Sequence, residues 1–264
     1  MDRLCVATLN IWNRMGPWEE RLVAIRKELA RSKPDIVGLQ EVLVLPELAF
    51  DQAKAIAEGF GYHIAFGRSP DATPFVMGNA ILSRWPITRT FAFGLPGTDE
   101  HRSLVFAEID SPIGKIPFFS THLNWKFDES DVRQLQVQCI ARFVEATVAA
   151  TDYPAIVVGD FNAEPDSDEI RFMSGLGSLG GSSVHFQDVY GRVGASPGVT
   201  FSRRNAYAAL LREPDRRIDY IWVRGGDERF RGEPLAARVA FDEPEPENKA
   251  FASDHFGVVA ELRA

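Results

Sequence analysis

The sequence predicts one α/β domain with two packed sheets, covering residues 1–264. Short apolar runs rich in β-branched residues alternate with stretches in which apolar residues recur every three or four positions, which indicates strands alternating with helices. Of the 264 residues, 45% are apolar and 25% are charged, which is enough apolar content for a substantial core. No composition shift marks a boundary between domains.

Nine runs are predicted to be strands because they are short, apolar and β-branched. They are Leu4–Asn10, Ile36–Gln40, Tyr62–Phe66, Ala80–Ser83, Leu104–Ile109, Ile116–Thr121, Ala155–Val158, Ile218–Val223 and Gly257–Leu262. The run Ala155–Val158 is apolar throughout, which predicts burial on both faces of its sheet.

Three stretches are predicted to be helices: Trp18–Arg31, Pro46–Phe60 and Ser130–Ala149. Lys33-Pro34 ends the first, because a residue before proline is disfavoured in helical conformation. Ser130 is predicted to cap the third. The core-facing stripe expected on that helix consists of Val132, Leu135, Cys139, Phe143 and Ala146.

Charge and cysteine content exclude several classes of protein. A formal net charge of −8 argues against a protein that holds long nucleic acid by bulk electrostatics, although it permits a small phosphorylated substrate. Cys5 and Cys139 are too far apart for a metal knuckle, and both are expected to be buried structural thiols. Without an apolar run of signal-peptide or membrane-span length, we expect a cytoplasmic protein with no stable membrane insertion. The oligomeric state is left open.

The most informative pattern is a polar residue that follows or interrupts an apolar strand. Any one of these residues by itself is more typical of a turn or a cap. Strand ends of one sheet lie near one another, however, so together these side chains are expected to converge on one pocket. Carboxylates gathered in this way would repel one another without a cation, and a hard divalent cation prefers oxygen ligands. The residues are Asn10, Glu41, His122, Asn124, Asp160, Asn162, Asp219, Asp254 and His255.

Seven fragments in this order carry a resemblance to a known family. They are TLNIWN, GLQEV, GNAILSR, STHLNW, GDFNAEP, RIDYIWV and SDHFGVV, and they span residues 8–259. The chain resembles the endonuclease/exonuclease/phosphatase superfamily of metal-dependent phosphoesterases, in particular its branches that carry a Thr-His-Leu motif.

The resemblance implies a four-layer α/β/β/α sandwich with two central mixed sheets, and a site for Mg²⁺ or, as the alternative ion, Mn²⁺. By resemblance Glu41, Asn10 and Asp254 bind the metal, whereas the Asp160 and Asn162 pair orients the attacking water and the phosphate. His255 and His122 resemble the two histidines that contact the phosphate, and Asp219 the carboxylate that holds His255.

Two departures narrow the resemblance. Trp12 stands where some DNA-repair members have an acidic residue, which weakens the case for a metal ligand at that position. His122 stands where those members have tyrosine or lysine, which moves the interpretation away from apurinic-site nucleases.

The function predicted is hydrolysis of a phosphodiester or phosphomonoester by in-line attack of water. Candidate substrates are a nucleic-acid end, a phospholipid headgroup and a small phosphorylated metabolite, with Asn124, Asn79 and Arg217 expected to bind the substrate. Five arginines near position 210 either hold further phosphates or form a solvated loop balanced by nearby acids: Arg203, Arg204, Arg212, Arg216 and Arg217.

Two other functions compete with the phosphoesterase. A catalytically inert phosphate-binding module on the same fold is the first, and the complete residue set argues against it. A serine esterase is the second, and the sequence lacks its Gly-x-Ser-x-Gly turn.

Overall fold

A computed structural model describes residues 2–69, 76–97, 100–149 and 152–264 of the chain. Its helices are α1 (Trp18–Ser32), α2 (Gln52–Ala57), α3 (Ser130–Thr147), α4 (Asp168–Met173) and α5 (Val189–Val193), with 3₁₀ turns at Pro46–Leu48 and Ala208–Leu211. Among the residues described, none of these helices combines the length and the apolar character needed to span a bilayer.

The first sheet contains seven strands among the described residues. Its order is β12-β13-β1-β2-β5-β4, with β3 paired to the end of β2. β1 and β2 run parallel, and the other pairs are antiparallel. The strands are β1 (Arg3–Asn10), β2 (Ile36–Leu45), β3 (Phe50–Asp51), β4 (His63–Arg68), β5 (Val76–Ser83), β12 (Pro234–Ala240) and β13 (Gly257–Arg263).

The second sheet has six described strands in the order β10-β11-β9-β8-β7-β6. Here β8 and β9 are the parallel pair at the centre. Each sheet therefore has one central pair of parallel strands whose carboxyl ends lie at the same edge. The strands are β6 (Ile87–Gly94), β7 (Ser103–Ser111), β8 (Gly114–His122), β9 (Ile156–Asp160), β10 (Phe186–Asp188) and β11 (Asp219–Arg224).

Three apolar layers hold the sheets and helices together. Between the sheets, side chains such as Val6 and Phe118 are fully buried. Ile25 of α1 packs on the outer face of the first sheet, and Val137 of α3 and Ile170 of α4 pack on the outer face of the second. Each large apolar side chain buried in this way contributes about 1.5–3 kcal/mol to folding. The four-layer α/β/β/α sandwich is confirmed, because helices cover both outer faces of two packed sheets.

The predicted helix over Pro46–Phe60 is only partly correct, because the structure has a 3₁₀ turn at Pro46–Leu48 and a short helix, α2, at Gln52–Ala57. Strand β2 continues to Leu45, turns through a 3₁₀ segment and pairs back with β3, so that α2 begins only at Gln52. The Asp51 carboxylate caps α2 by accepting a hydrogen bond from the Lys54 amide at 3.1 Å. Strands β6 and β12 have no counterpart in the sequence prediction. Both lie at a sheet edge, where β6 is largely exposed and β12 is buried only at its two ends.

The core-facing stripe predicted for α3 is also wrong, because the buried residues lie about one position further along the sequence than the predicted ones. Leu135 is 55% exposed, whereas Val137, Ile140 and Val144 are fully buried. Two polar residues, Arg133 and Gln136, also lie on the buried face, where both have partners. Arg133 donates to Glu169, and Gln136 hydrogen-bonds to the backbone amide and the side-chain oxygen of Asn124. Glu129, and not Ser130, is the N-cap residue.

The two cysteines are free and half-buried. Burial raises the pKa of the Cys5 thiol to about 11 and also raises that of Cys139. Raised pKa values are typical of unreactive thiols.

Candidate active site

Strand register brings three polar side chains together at one edge of the second sheet. His122, the last residue of β8, lies beside Asp160, the last residue of β9. Asp219, the first residue of the antiparallel strand β11, pairs with Asp160 from the other side. An antiparallel strand begins at the edge where its neighbour ends, which is why residues far apart in the sequence meet here.

Gly159 allows the close approach of β8 and β9 just before Asp160. Its φ is 153°, and a Cβ atom at this position would lie 2.0 Å from the carbonyl oxygen of Thr121. Only glycine fits between the strands at that distance.

Backbone irregularities place two further side chains at the same edge. The β2–β5 register shifts between Leu39 and Val42, so Glu41 lies in a bulge with a φ of 57°. Asn162 also has a left-handed φ, of 51°. Such conformations cost about 1–3 kcal/mol each and are concentrated at functional sites.

The first sheet contributes a carboxylate held by two amides. Asn10 Nδ2 donates to Glu41 Oε1 at 3.1 Å, and Asn13 Nδ2 donates to Glu41 Oε2 at 2.9 Å. Asn10 Nδ2 also donates to Asp160 Oδ2 at 3.0 Å, which joins the two sheets. With 20% of its side chain exposed, Glu41 is the most accessible of these acids.

Asp160 is the buried centre of the arrangement. Its Oδ1 accepts from the Asn162 amide at 2.9 Å, and its Oδ2 lies 3.4 Å from His122 Nε2 and 3.6 Å from His255 Nε2. Burial raises the pKa of Asp160 to about 7; His255 opposes this rise and Asp219 adds to it.

His255 and Asp219 form a buried ion pair. His255 Nδ1 lies 3.0 Å from Asp219 Oδ2, and the Phe201 ring packs edge-on against the imidazole with centroids 5.0 Å apart. Burial by itself would lower the pKa of His255, but Asp219 and Asp160 raise it well above its ordinary value. His255 is therefore an imidazolium at neutral pH.

His122, in contrast to His255, is a neutral imidazole. Its Nδ1 lies 2.9 Å from Arg102 Nη1 and its Nε2 lies 3.0 Å from Asn162 Nδ2. Burial, and then the charges of Arg102 and His255, lower the pKa of His122 well below its ordinary value. Arg102 can only donate, so Nδ1 of the neutral ring accepts and Nε2 carries the hydrogen, which faces Asp160 Oδ2 at 3.4 Å.

Asp254 lies in the loop before β13, next to His255. Ser253 Oγ donates to its Oδ1 at 3.1 Å. Burial raises the pKa of Asp254 to about 6; the charge of His255 opposes the rise, whereas Glu41 adds to it. The predicted catalytic and metal-site residues thus lie together, and we call them the strand-end cluster: Asn10, Glu41, His122, Asp160, Asn162, Asp219, Asp254 and His255.

Comparison with known proteins identifies the family. Residues 7–255 match the Endonuclease/Exonuclease/phosphatase family. The chain belongs to this family. It is 27% identical to a Drosophila melanogaster protein named "Putative neutral sphingomyelinase" over 98% of this chain. The chain spans 60% of the length of that relative.

Solved structures with the same fold include other members of the family. D. rerio TDP2 complexed with a single-strand DNA product has a TM-score of 0.80 and 19% identity, with 99% of each chain covered. The human Nocturnin catalytic domain with bound sulfate has a TM-score of 0.73 and 19% identity, covering 99% of this chain and 100% of that one. A family protein from Beutenbergia cavernae has a TM-score of 0.74 and 25% identity, covering 100% of this chain and 72% of that one.

The endonuclease/exonuclease/phosphatase family is metal-dependent, and the strand-end cluster fits a cation. Asp160, Asp219 and His255 offer ligand atoms within 4.8 Å of one another. Asp219 Oδ1 is buried with no hydrogen-bond partner among the described residues, and the pKa values of Asp160 and Asp254 are raised. Four carboxylates, those of Glu41, Asp160, Asp219 and Asp254, thus gather around the single imidazolium of His255, and such an excess of acids suits a hard cation with oxygen ligands.

Three predicted substrate-binding residues have other partners. Asn124 donates to Glu129 and accepts from Gln136, which fixes its side chain within the α3 region. Arg217 makes a bidentate pair with Asp188 at 3.1 and 2.7 Å, so its guanidinium is neutralised. These contacts give little support to a role of Asn124 or Arg217 in substrate binding, which stays a prediction. Asn79 donates to Ser103 but does line a cavity beside the cluster.

The arginine-rich loop is largely self-compensated. Arg203 pairs with Asp215, Arg204 with Asp242 and Arg216 with Glu213. Of the two interpretations open from the sequence, the balanced loop agrees with these contacts. This loop gives little support to a site for additional phosphates.

Sequence reasoning missed Asn13, Arg102 and Arg21. Arg21 of α1 is fully buried and donates to carbonyl oxygens of the loop after β1, among them Ile11 at 2.7 Å, and to Ala252 at 3.1 Å. It thereby ties the loop that carries Asn13 to the loop that carries Asp254. A charged residue on the buried face of α1, one turn from Trp18 and Ile25, was the available signal.

Proposed function

We propose that this protein hydrolyses phosphodiesters by in-line attack of water at the strand-end cluster. The observation that carries the proposal is Asp160, a buried carboxylate that links the acidic group around Glu41 to the imidazolium of His255. The names of the sphingomyelinase relative and of TDP2 bound to a DNA product support the same reaction class.

Asp160 is the group that accepts the proton of the attacking water. In the metal-free protein burial raises the pKa of Asp160 to about 7, which makes this carboxylate more basic than an ordinary aspartate. The backbone amide of Asn162 holds the carboxylate in place. The Asn162 side chain would orient the water and one phosphoryl oxygen.

The two histidines would stabilise the charge that develops on the phosphoryl group. His255, held by Asp219, donates from Nε2 as an imidazolium to a non-bridging oxygen. His122 Nε2 lies 3.4 Å from Asp160 Oδ2, and from this position it would donate to a second phosphoryl oxygen.

Mg²⁺, or Mn²⁺ in its place, would be held by Glu41, Asn10 and Asp254. We favour these ligands over Asp219 and His255 because those two side chains already pair with each other. Glu41 is also the more exposed acid, and Mg²⁺ usually keeps several waters. When bound, the ion supplies positive charge that neutralises the phosphoryl oxygens. The candidate substrates are the nucleic-acid end, the phospholipid headgroup and the small phosphorylated metabolite.

Hydrolysis of bis-p-nitrophenyl phosphate tests the proposal directly. We expect turnover with Mg²⁺ or Mn²⁺, none with EDTA, and recovery when the ion is restored. Asp160→Asn should abolish the activity, while Asp110→Asn, a matched change at an exposed position, should retain it. Binding of phosphate without turnover by the metal-loaded protein would instead indicate an inert module.

A further inference from the structure

A cavity of about 690 Å³ opens beside the strand-end cluster. Glu41 and His122 belong to both, so a group bound in the cavity would be attached close to a phosphate at the cluster. We call this cavity the side pocket. Its volume is in the range of pockets that enclose a small organic ligand.

The walls of the side pocket are mainly apolar. Leu43 and Leu45 project from the extension of β2, and Met77 from β5 faces the same space. Met15, which is 54% exposed, lies at the rim. Two of the four methionines in the chain thus line one pocket, and flexible thioethers adapt to apolar ligands of different shape.

The two arginines that line the side pocket already have partners. Arg102 donates to Glu100 Oε2 at 3.2 and 3.1 Å and contacts His122. Arg14 lies 4.9 Å from the centroid of the Phe50 ring and 3.9 Å from Glu19. These arginines are therefore poorly placed to bind a second phosphate. The compensated arginines of the 203–217 loop favour the same conclusion.

We propose that the side pocket binds an apolar ester group of the substrate, either alkyl or aryl. The preferred substrate is then a phosphodiester with one apolar substituent, which the enzyme retains on the phosphate while the other ester bond breaks. This inference rests on the proposed function, because it concerns the substrate of the same site.

A series of p-nitrophenyl phosphodiesters that share one leaving group isolates the effect of the pocket. In each, the water oxygen bonds to phosphorus, the water proton goes to Asp160, and the electron pair of the broken P–O bond leaves with p-nitrophenolate. The retained group is methyl, butyl, octyl or phenyl. Concentrations stay below the point at which the octyl ester forms micelles.

We expect kcat/KM to rise about tenfold or more from the methyl to the octyl ester, mainly through a lower KM, since burial of each methylene favours binding. Comparison of the phenyl and butyl esters shows whether the side pocket prefers an aryl or an alkyl group, because a flat pocket would favour phenyl over butyl. A thymidine ester in the same series represents a nucleic-acid end.

Leu45→Asn and Met77→Ala test the assignment to this pocket. Each variant should reduce the ratio of octyl to methyl kcat/KM several-fold. Leu176→Asn changes a leucine that is 66% exposed and outside the pocket, so its ratio should equal that of the wild type. Thermal melting shows whether each variant is folded. Two variants are used so that one that fails to fold does not end the test.

Three outcomes would overturn the proposal and leave the phosphodiesterase activity intact. They are equal kcat/KM for all the retained groups, a clear preference for the thymidine ester, or an octyl-to-methyl ratio that neither pocket variant alters. Failure to hydrolyse any ester in the series, with Mg²⁺ or with Mn²⁺, would instead refute the proposed function itself.

Discussion

The two sheets contribute to the strand-end cluster in different ways. The first sheet contributes Glu41 on a bulge, partly exposed and hydrogen-bonded by neutral amides. The second contributes Asp160 and Asp219, both buried at strand ends and facing histidines. An exposed acid held by neutral donors suits a hydrated cation, whereas buried acids next to histidines suit proton transfer. Under the proposed function, Glu41 would bind the cation and Asp160 would accept the proton within one pocket.

Asp160→Asn tests the proposal that the second sheet supplies the acid–base groups, and it should have the largest effect. We expect kcat to fall by more than about 100-fold, the scale of a general base, at any concentration of Mg²⁺. In EDTA the variant should melt at or above the temperature of the wild type, because an amide needs no compensating charge when it is buried. Activity near that of the wild type would mean that another group accepts the proton.

Glu41→Gln tests the proposal that Glu41 of the first sheet binds the cation. We expect a loss of about tenfold or more at low Mg²⁺ that is partly reversed by excess Mg²⁺, because one charged ligand is lost while the acid–base groups remain. Titration of the activity with Mg²⁺ measures the shift. If the loss persists at saturating Mg²⁺, as expected for Asp160→Asn, then Glu41 and Asp160 do not have the separate roles proposed for them.

Cation binding should depend on pH. In the metal-free protein the pKa values of Asp160 and Asp254 are raised to about 7 and about 6, so both are largely protonated at pH 5 and ionised at pH 8. Their ionisation destabilises the folded state as the pH rises through these values, and a cation offsets that loss. Mg²⁺ should therefore raise the melting temperature more at pH 8 than at pH 5. An equal rise at both values would place the ion away from these acids.

The double substitution Arg203→Ala/Arg204→Ala should have the smallest effect. Both arginines are largely exposed and pair with carboxylates, and such pairs contribute about 0–1 kcal/mol. We expect less than a twofold change in kcat/KM for small phosphodiesters. A large loss confined to oligonucleotide substrates would show that the loop contacts a nucleic-acid backbone.

Much of the site was predictable because its residues follow recognisable strands. Asp160 ends a fully buried strand, and Asp219 alternates with apolar residues, so both stand out in the sequence. The substrate contacts expected of Asn124 and Arg217 find little support in the structure. Both residues lie next to motif residues, but their partners, Gln136 and Asp188, come from other elements. The roles of the cluster residues, the single domain over residues 1–264 and the cytoplasmic location stay predictions.

The sequence by itself determined the α/β layers, since apolar periodicity marks which segments are buried, and the order of the motifs indicated the family. Only the tertiary structure decided which face of α3 is buried and that Arg102 and Arg21 support the site. Those outcomes depend on hydrogen bonds and ion pairs between residues distant in the chain. A local sequence pattern does not reveal such pairs, because the energy of a buried charge depends on the partner that folding brings to it.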